Sequence, residues 1–203
     1  MQELSGIFLQ MQQHGMRVPQ FAPTFKIKSA ADQIKEVANY VLKQKSKNLI
    51  WLPEYDEIGE YLSDTKGKGL LLYGQCGLGK TFMSRYVIPA IILSETNQVI
   101  YSWDAVELTK KTGENLNIDI ALKKKLISID DIGTEEMIVD FGKRRCGVSE
   151  LIDASEKYGK VLFLTTNLTG DELKLRYGDR IYDRILEITK RIAFKGKSFR
   201  NKV

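Results

Sequence analysis

Histidine and cysteine are scarce in this sequence of 203 residues, which contains His14 as its single histidine and only two cysteines. Cys76 and Cys146 are far apart and belong to no CxxC pattern. Structural zinc sites need four closely spaced Cys or His ligands, so this composition argues against one. It also favours a reducing, intracellular setting.

Long apolar runs are missing as well. No run approaches the roughly 18 residues that a membrane-spanning helix needs, and the first residues, MQELSGIFLQ, lack the basic segment of a signal peptide. We therefore expect a cytoplasmic protein without a membrane partner. The hydrophobic fraction of 43% and charged fraction of 28% are typical of a folded soluble domain.

Acidic residues are absent from positions 190–203, although the net charge of the whole chain is only +5. The basic residues of this tail are Lys190, Arg191, Lys195, Lys197, Arg200 and Lys202. Phe194 and Phe199 lie among them, and mixed basic and aromatic side chains suit nucleic-acid phosphates and bases. The same pattern also fits a terminal segment whose aromatic residues belong to the core.

Helical periodicity begins near the N-terminus. Leu4, Ile7, Phe8 and Met11 share one helix face. Pro19 and Pro23 then indicate a linker, so we expect a helical arm over residues 1–24 and one domain over residues 25–203. The arm either docks on a partner or packs on its own domain. Further helices are predicted from Ala30 and from Tyr55 to Leu62.

Short apolar runs alternate with helical patterns after residue 68. They are GLLLYG (69–74), QVIYSW (98–103), KLISID (125–130), KVLFLTTN (160–167) and RIAF (191–194). Their nearly continuous apolarity is typical of strands that are covered on both faces. The sequence therefore predicts an α/β fold with a parallel sheet between layers of helices.

The sequence GQCGLGKT, residues 74–81, fits the phosphate-binding pattern G-x-x-x-x-G-K-[ST] between a predicted strand and a predicted helix over residues 82–93. Glycines let successive backbone N–H groups point inward at a phosphate, and the helix N-terminus adds positive potential. The residues that we expect to bind ATP are Gly74, Gln75, Cys76, Gly77, Leu78, Gly79, Lys80, Thr81 and Phe82. Lys80 would reach the β- and γ-phosphates, and Thr81 would bind Mg²⁺.

Two adjacent carboxylates, Asp130 and Asp131, end the predicted strand in LISIDDIG, residues 126–133. Like charges at short range oppose each other's ionisation, so an ordinary solvated strand end is one interpretation. Because the pair follows a phosphate-loop motif in the sequence, a second interpretation is that both acids act on a bound nucleotide. Asp130 would hold Mg²⁺ through water, and Asp131 would orient the attacking water.

The motifs GQCGLGKT, ISIDDIG, LFLTTNL and YGDRIYDR occur in an order that resembles AAA+ ATPases of the DnaC/DnaI helicase-loader and IstB-like group, over residues 66–203. The resemblance implies a P-loop AAA+ three-layer sandwich. Its five-stranded parallel sheet would have the order 5-1-4-3-2, and the C-terminal lid would be reduced or absent.

The same resemblance implies roles for four further residues. Asn167 matches the sensor I position, Arg180 matches the arginine finger that a neighbouring subunit supplies, and Arg200 matches sensor II. Arg184 lies one helical turn after Arg180 and is the other finger candidate. The alternatives are a strand-terminal turn at Asn167 and salt bridges within the arginine helix, to Asp179, Asp183 or Glu187.

The implied function is that of a helicase loader, an ATPase that binds single-stranded DNA and a replicative helicase and assembles into an ATP-dependent homo-oligomer. Asp131 stands where many AAA+ proteins have glutamate, so we expect slow hydrolysis. Three alternatives remain at this stage. They are an IstB-like transposition helper that binds duplex DNA, a small-molecule kinase, and a nucleotide-gated interaction module without significant turnover.

Overall fold

The computed structural model describes residues 2–140, 143–196 and 198. The strands are β1 (Gly69–Gly74), β2 (Tyr101–Asp104), β3 (Lys111–Thr112), β4 (Asn115–Leu116), β5 (Leu126–Asp130), β6 (Ile138–Asp140), β7 (Lys143–Arg145), β8 (Val161–Thr166) and β9 (Thr189–Phe194). The helices are α1 (Gln2–Gln13), α2 (Ala30–Lys43), α3 (Pro53–Ser63), α4 (Lys80–Phe82, Met83–Val87 and Ile88–Thr96), α5 (Asn117–Ala121), α6 (Gly147–Tyr158), α7 (Gly170–Tyr177) and α8 (Asp179–Ile188).

Five strands form one sheet in the order β2-β5-β8-β1-β9, and every neighbouring pair is parallel. When these five strands alone are numbered along the chain, the order is 5-1-4-3-2, which agrees with the expected order. All five predicted strands are present. Because the strands are parallel, the residues that follow β1, β2, β5 and β8 lie at the same edge of the sheet.

Alternate side chains of each central strand enter two separate cores. On β1, Leu70 and Leu72 pack with α2, α3 and α4, whereas Leu71 packs on the opposite face with α5, α6, α7 and α8. Phe163 and Leu164 of β8 divide in the same way. The continuous apolarity of these strands therefore reflects burial on both faces, and the molecule has three layers.

Helix α4 contains a π-helical turn, Met83–Val87, in which the N–H of Ile88 donates to the carbonyl of Met83. Pro89 follows directly and has no N–H to donate to Arg85, the residue four positions before it. The wider turn accommodates that missing bond. This turn includes Arg85 and therefore affects where the Arg85 side chain lies.

The N-terminal segment joins the domain before residue 25. The backbone of Gln20 and Phe21 lies against Gly159, and Phe25 and Ile27 are buried in the first core. On α1, by contrast, Ile7 is 51% exposed. The partner-docking role of the arm stays a prediction.

Two short antiparallel hairpins, β3-β4 and β6-β7, were not predicted from the sequence. Their strands are only two or three residues long and show no alternation of apolar and polar side chains. A reduced lid after Phe194 also stays a prediction, because most of the residues that follow lie outside the described ranges.

Candidate nucleotide-binding site

The loop between β1 and α4 has the backbone of a phosphate-binding loop. Gly74, Gly77 and Gly79 have φ angles of 123°, 81° and 92°. A Cβ atom on Gly74 would come within 2.2 Å of the Phe194 carbonyl oxygen, and one on Gly79 within 2.8 Å of the Tyr55 hydroxyl. Glycine is thus required at both ends of the loop, for conformation and for space.

Lys80 is buried at the start of α4, with 5% of its surface exposed. Its Nζ donates to the carbonyl oxygens of Gly74 at 2.7 Å and Gln75 at 2.8 Å, and to Oδ1 of Asn167 at 2.8 Å. A buried ammonium requires such acceptors. These bonds hold the amine between the phosphate loop and the end of β8, where a phosphate oxygen could replace them as partner.

The end of β8 also positions Asp131. Asn167 Nδ2 donates to Asp131 Oδ1 at 3.0 Å, and the Asp131 N–H donates to Thr165 Oγ1 at 2.9 Å. Asp131 has a φ of 54°, which is uncommon for a residue other than glycine. The structure therefore brings Lys80, Asp131 and Asn167 together.

Asp130 is compensated differently from its neighbour. Its carboxylate is buried, accepts a hydrogen bond from Thr165 Oγ1 and lies 3.9 Å from Arg85 Nη2. Asp131 instead bonds Asn167. The two adjacent carboxylates thus have separate partners, and these partners offset the repulsion between the two charges.

Arg85 is a site residue that the sequence reading missed. Its guanidinium also pairs with Asp104, which lies directly opposite Asp130 in the β2-β5 register. Burial lowers the pKa of Arg85, but the hydrogen bond and charge of Asp104 and the charge of Asp130 outweigh it and raise that pKa. Two features of the sequence could have indicated Arg85. They are a strand that ends in an acid, QVIYSWD, and a basic residue five positions after Lys80.

A cavity of about 1040 Å³ opens over the phosphate loop. Six of the nine predicted ATP-binding residues line it, namely Cys76, Gly77, Gly79, Lys80, Thr81 and Phe82. Gly74 and Gln75 contribute the carbonyl oxygens that hold Lys80, while the Leu78 side chain is buried in the core. The sequence reading gave Leu78 no such role in packing.

Further parts of the cavity wall come from residues 45–50, which lie between α2 and α3, from Leu42 of α2 and from Tyr55 of α3. Burial, together with the charge of Glu54, raises the pKa of Tyr55 to about 12, so its hydroxyl is protonated at neutral pH. Phe82 and Tyr86 add apolar surface on the α4 side. No sequence motif marked residues 45–50, because their role depends on how the chain folds back over the loop.

The two candidate finger arginines lie on α8 and do not line this cavity. Arg180 Nη2 is 3.1 Å from Asp153 Oδ2, and Arg184 pairs with Asp153 and with Glu156 Oε2, at 2.6 Å. The expected partners within α8 were wrong, because both arginines reach across to α6. The side chain of Arg180 is 66% exposed and that of Arg184 is 28% exposed. Arg200 lies outside the described residues.

Mg²⁺ is compatible with these side chains only together with phosphate oxygens. Thr81 and Asp130 supply a hydroxyl and a carboxylate, and the described residues contain no cluster of three or more His, Cys, Asp or Glu that could hold a metal. Mg²⁺ commonly binds one or two carboxylates plus substrate phosphates. The donor set therefore fits a metal that arrives with a nucleotide.

Comparison with known proteins gives one curated relative and several solved structures. No family model matches the sequence. The replicative helicase loader DnaI of Bacillus subtilis (strain 168) is 26% identical over an alignment that covers 74% of this chain and 51% of the relative. This chain thus spans about half the length of that relative.

Two helicase-loader structures share the fold. A DnaI crystal structure matches with a TM-score of 0.53 and 24% identity, over 66% of this chain and 73% of that chain. The DnaC helicase loader matches with a TM-score of 0.53 and 20% identity, over 84% of this chain and 94% of that chain. The chain is therefore similar to helicase loaders of the DnaC/DnaI group and has their fold.

A third structure with this fold is the AMPPCP-bound DnaA of Aquifex aeolicus. It matches with a TM-score of 0.51 and 17% identity, over 74% of this chain and 50% of that chain. No described helix of this chain is both long enough and apolar enough to cross a membrane.

Proposed function

We propose that this DnaC/DnaI-like protein binds ATP with Mg²⁺, hydrolyses it slowly, and acts as a helicase loader in DNA replication. One observation carries the enzymatic part of this proposal. Lys80, Asp131 and Asn167 come from three different elements and bond one another at the wall of a cavity that the phosphate loop lines. A loop that served only to turn the chain would not need them.

We assign distinct roles to the residues at this wall. Backbone N–H groups of residues 75–81 and the Lys80 ammonium would bind the phosphates, and Thr81 and Asp130 would hold the metal. Mg²⁺, when bound, neutralises charge on the phosphate oxygens. Asp131 would orient the attacking water, and the amide of Asn167 fixes the direction of that carboxylate. An aspartate is about one C–C bond shorter than a glutamate, so water activation would be poor and turnover slow.

The helicase-loader role rests on similarity to DnaI and on the shared fold. It implies a replicative helicase and single-stranded DNA as partners, and an ATP-dependent homo-oligomer. Arg180 supports the last of these, since it is exposed and lies outside its own cavity. A neighbouring subunit would receive it.

Nucleotide binding is tested with Lys80→Ala and a fluorescent ATP analogue. We expect affinity to fall at least about tenfold, because a charged phosphate contact is lost. Lys66→Ala, in the loop before β1, is the control for removing a surface lysine and should bind as the unsubstituted chain does. Equal affinity of all three proteins would contradict the proposed site.

Turnover is tested with Asp131→Glu and Asp131→Asn. Phosphate release should rise with the longer acid and fall to background with the amide, while affinity for ATP changes little. A fast unsubstituted enzyme, or a glutamate variant slower than the parent, would contradict the role given to Asp131.

A second candidate is a nucleotide-gated interaction module, and the Asp131–Asn167 bond favours it. An acid that is hydrogen-bonded by Asn167 has less freedom to act on water. Tight ATP binding without phosphate release, even when DNA is present, would select this candidate over slow hydrolysis.

A further inference from the structure

The surface at the amino ends of the central strands is both basic and aromatic. We name it the amino-end surface and define it by Phe21, Tyr101, Lys124, Lys125, Lys157 and Tyr158. Tyr101 begins β2, Lys124 and Lys125 precede β5, and Tyr158 ends α6 just before β8. The phosphate loop lies at the opposite ends of the same parallel strands.

Contacts join five of these residues into one continuous surface, and the backbone of Phe21 lies against Gly159, the residue after Tyr158. Lys124 Nζ lies 4.0 Å from the centroid of the Tyr101 ring, and Lys157 Nζ lies 5.0 Å from that of Tyr158. Lys125 Nζ donates to the Tyr158 carbonyl oxygen at 2.8 Å. The two lysine-tyrosine pairs are therefore joined through Lys125.

Lys160 fixes the loop that presents these lysines. Its side chain is mostly buried, and its Nζ donates to the carbonyl oxygens of Leu122 at 2.8 Å and Lys124 at 2.7 Å. Burial and the charge of Lys125 lower the pKa of Lys160. A loop that is anchored in this way presents its cations without a large further ordering cost.

Carboxylates are missing from the chain segments that form this surface. Residues 15–31, 97–103, 122–129 and 157–161 contain no Asp or Glu. Within the described ranges, Lys124, Lys125 and Lys157 have no carboxylate at ion-pairing distance. The hydrogen bond and charge of Lys157, with the charges of Arg17 and Lys160, lower the pKa of the exposed Tyr158 hydroxyl. The surface is thus locally positive.

The aromatic side chains of this surface are partly exposed to solvent. Phe21 is 75% exposed, Tyr158 47% and Tyr101 39%. Phe194 of the basic tail is buried in the core, at 2% exposure, and cannot stack on a base. The tail was the region that the sequence favoured for nucleic acid. The structure places partly exposed rings beside lysines for which the described residues offer no carboxylate partner, near the other edge strand, β2. Lys197, Phe199, Arg200 and Lys202 of the tail lie outside the described residues.

We propose that the amino-end surface binds single-stranded nucleic acid, with its lysines on the phosphates and its exposed rings against unpaired bases. Bases in a duplex are stacked and shielded, so exposed rings favour a single strand over a duplex. The inference rests on the proposed DNA binding and assigns it a location. Since β8 is six residues long and strands rise about 3.3 Å per residue, this surface lies roughly 20 Å from the nucleotide cavity. Both ligands fit at once.

The test measures binding of the full chain, with ATP, to a labelled oligothymidylate of about 20 nucleotides, a length that exceeds common site sizes. In Lys124→Gln/Lys125→Gln we expect affinity to fall roughly tenfold at about 50 mM salt, and the slope of log affinity against log salt to shrink by about 1.4. Tyr101→Leu keeps the charge and should weaken binding about fivefold or more through lost stacking.

Lys190→Gln/Arg191→Gln is the matched control. It removes two exposed charges from β9, the other edge strand, and should leave DNA affinity unchanged. All variants should keep the ATP affinity and melting temperature of the parent. An equal loss in the control, full binding by Lys124→Gln/Lys125→Gln, or preference for duplex over single strands would overturn the proposal. If the unsubstituted chain binds ATP but no DNA, DNA binding itself fails. If only the variant result fails, the location alone is wrong.

Discussion

At the scale of single residues, Arg85 explains how the fold tolerates acids at the ends of neighbouring strands. Asp104 and Asp130 lie opposite each other in the β2-β5 register, and Arg85 reaches both. The sequence predicted a phosphate loop because its glycines and lysine occur at a fixed spacing within one short segment, so the pattern can be recognised without knowledge of the fold. It did not reveal Arg85, whose role depends on strand register and on a π-helical turn.

Arg85→Leu should destabilise the protein by about 1–3 kcal/mol, because it leaves Asp104 and Asp130 facing each other without a cation. The loss stays below that of a fully buried pair, since Asp104 is 39% exposed. Urea denaturation with a constant m-value measures it. The compensating variant Arg85→Leu/Asp104→Asn removes one of the two charges and should recover at least half of the loss. A double variant no more stable than the single one would show that Arg85 acts by packing alone.

At the scale of elements, the central strands were predictable and the hairpins were not. A strand such as β8 is buried along its whole length, so its composition alone indicates a parallel core strand. Hairpins β3-β4 and β6-β7 consist of segments of two or three residues whose pairing is decided by neighbouring structure. The prolines around Phe21 predicted a linker, and the docking of this segment could not be predicted because its partner, Gly159, is distant in sequence.

Gly159→Ala tests that docking. Gly159 has a φ of 58°, and an added Cβ would come within 2.5 Å of the Phe21 backbone. Strain and overlap together should cost roughly 2–4 kcal/mol. They should also speed proteolysis after Arg17, because residues 20 and 21 must move away.

Gly178→Ala is the matched control. Its φ is 81°, but nothing lies within 4 Å of an added Cβ, so it carries backbone strain without overlap. It should cost about 1 kcal/mol and leave the cleavage rate near Arg17 unchanged. Equal effects of the two substitutions would mean that the contact with Phe21 contributes nothing.

At the scale of the whole molecule, the described residues that line the cavity include Lys45, Lys47 and Lys80 but no arginine. Arg180 is exposed and lies outside its own cavity, so a neighbouring subunit is the natural receiver. Both arginines pair with Asp153, but Arg184 also pairs with Glu156 and is less exposed, which makes it the structural member of the pair. Sequence spacing could not separate the two arginines, because both lie on one face of α8.

Mixing two inactive variants tests this arrangement. Lys80→Ala should lose nucleotide binding, and Arg180→Ala should lose at least about a hundredfold in turnover while still binding ATP, since arginine fingers contribute 10³ or more in related systems. In a mixture, some interfaces join an intact nucleotide site of the Arg180→Ala subunit to an intact Arg180 of the Lys80→Ala subunit. Phosphate release should therefore exceed the sum of the separate variants and rise with total protein concentration. Arg184→Ala mixed with Lys80→Ala should show no such gain, because Arg184→Ala retains its own finger. A mixture that only adds the two residual rates would mean that Arg180 works within its own subunit or has no role in turnover.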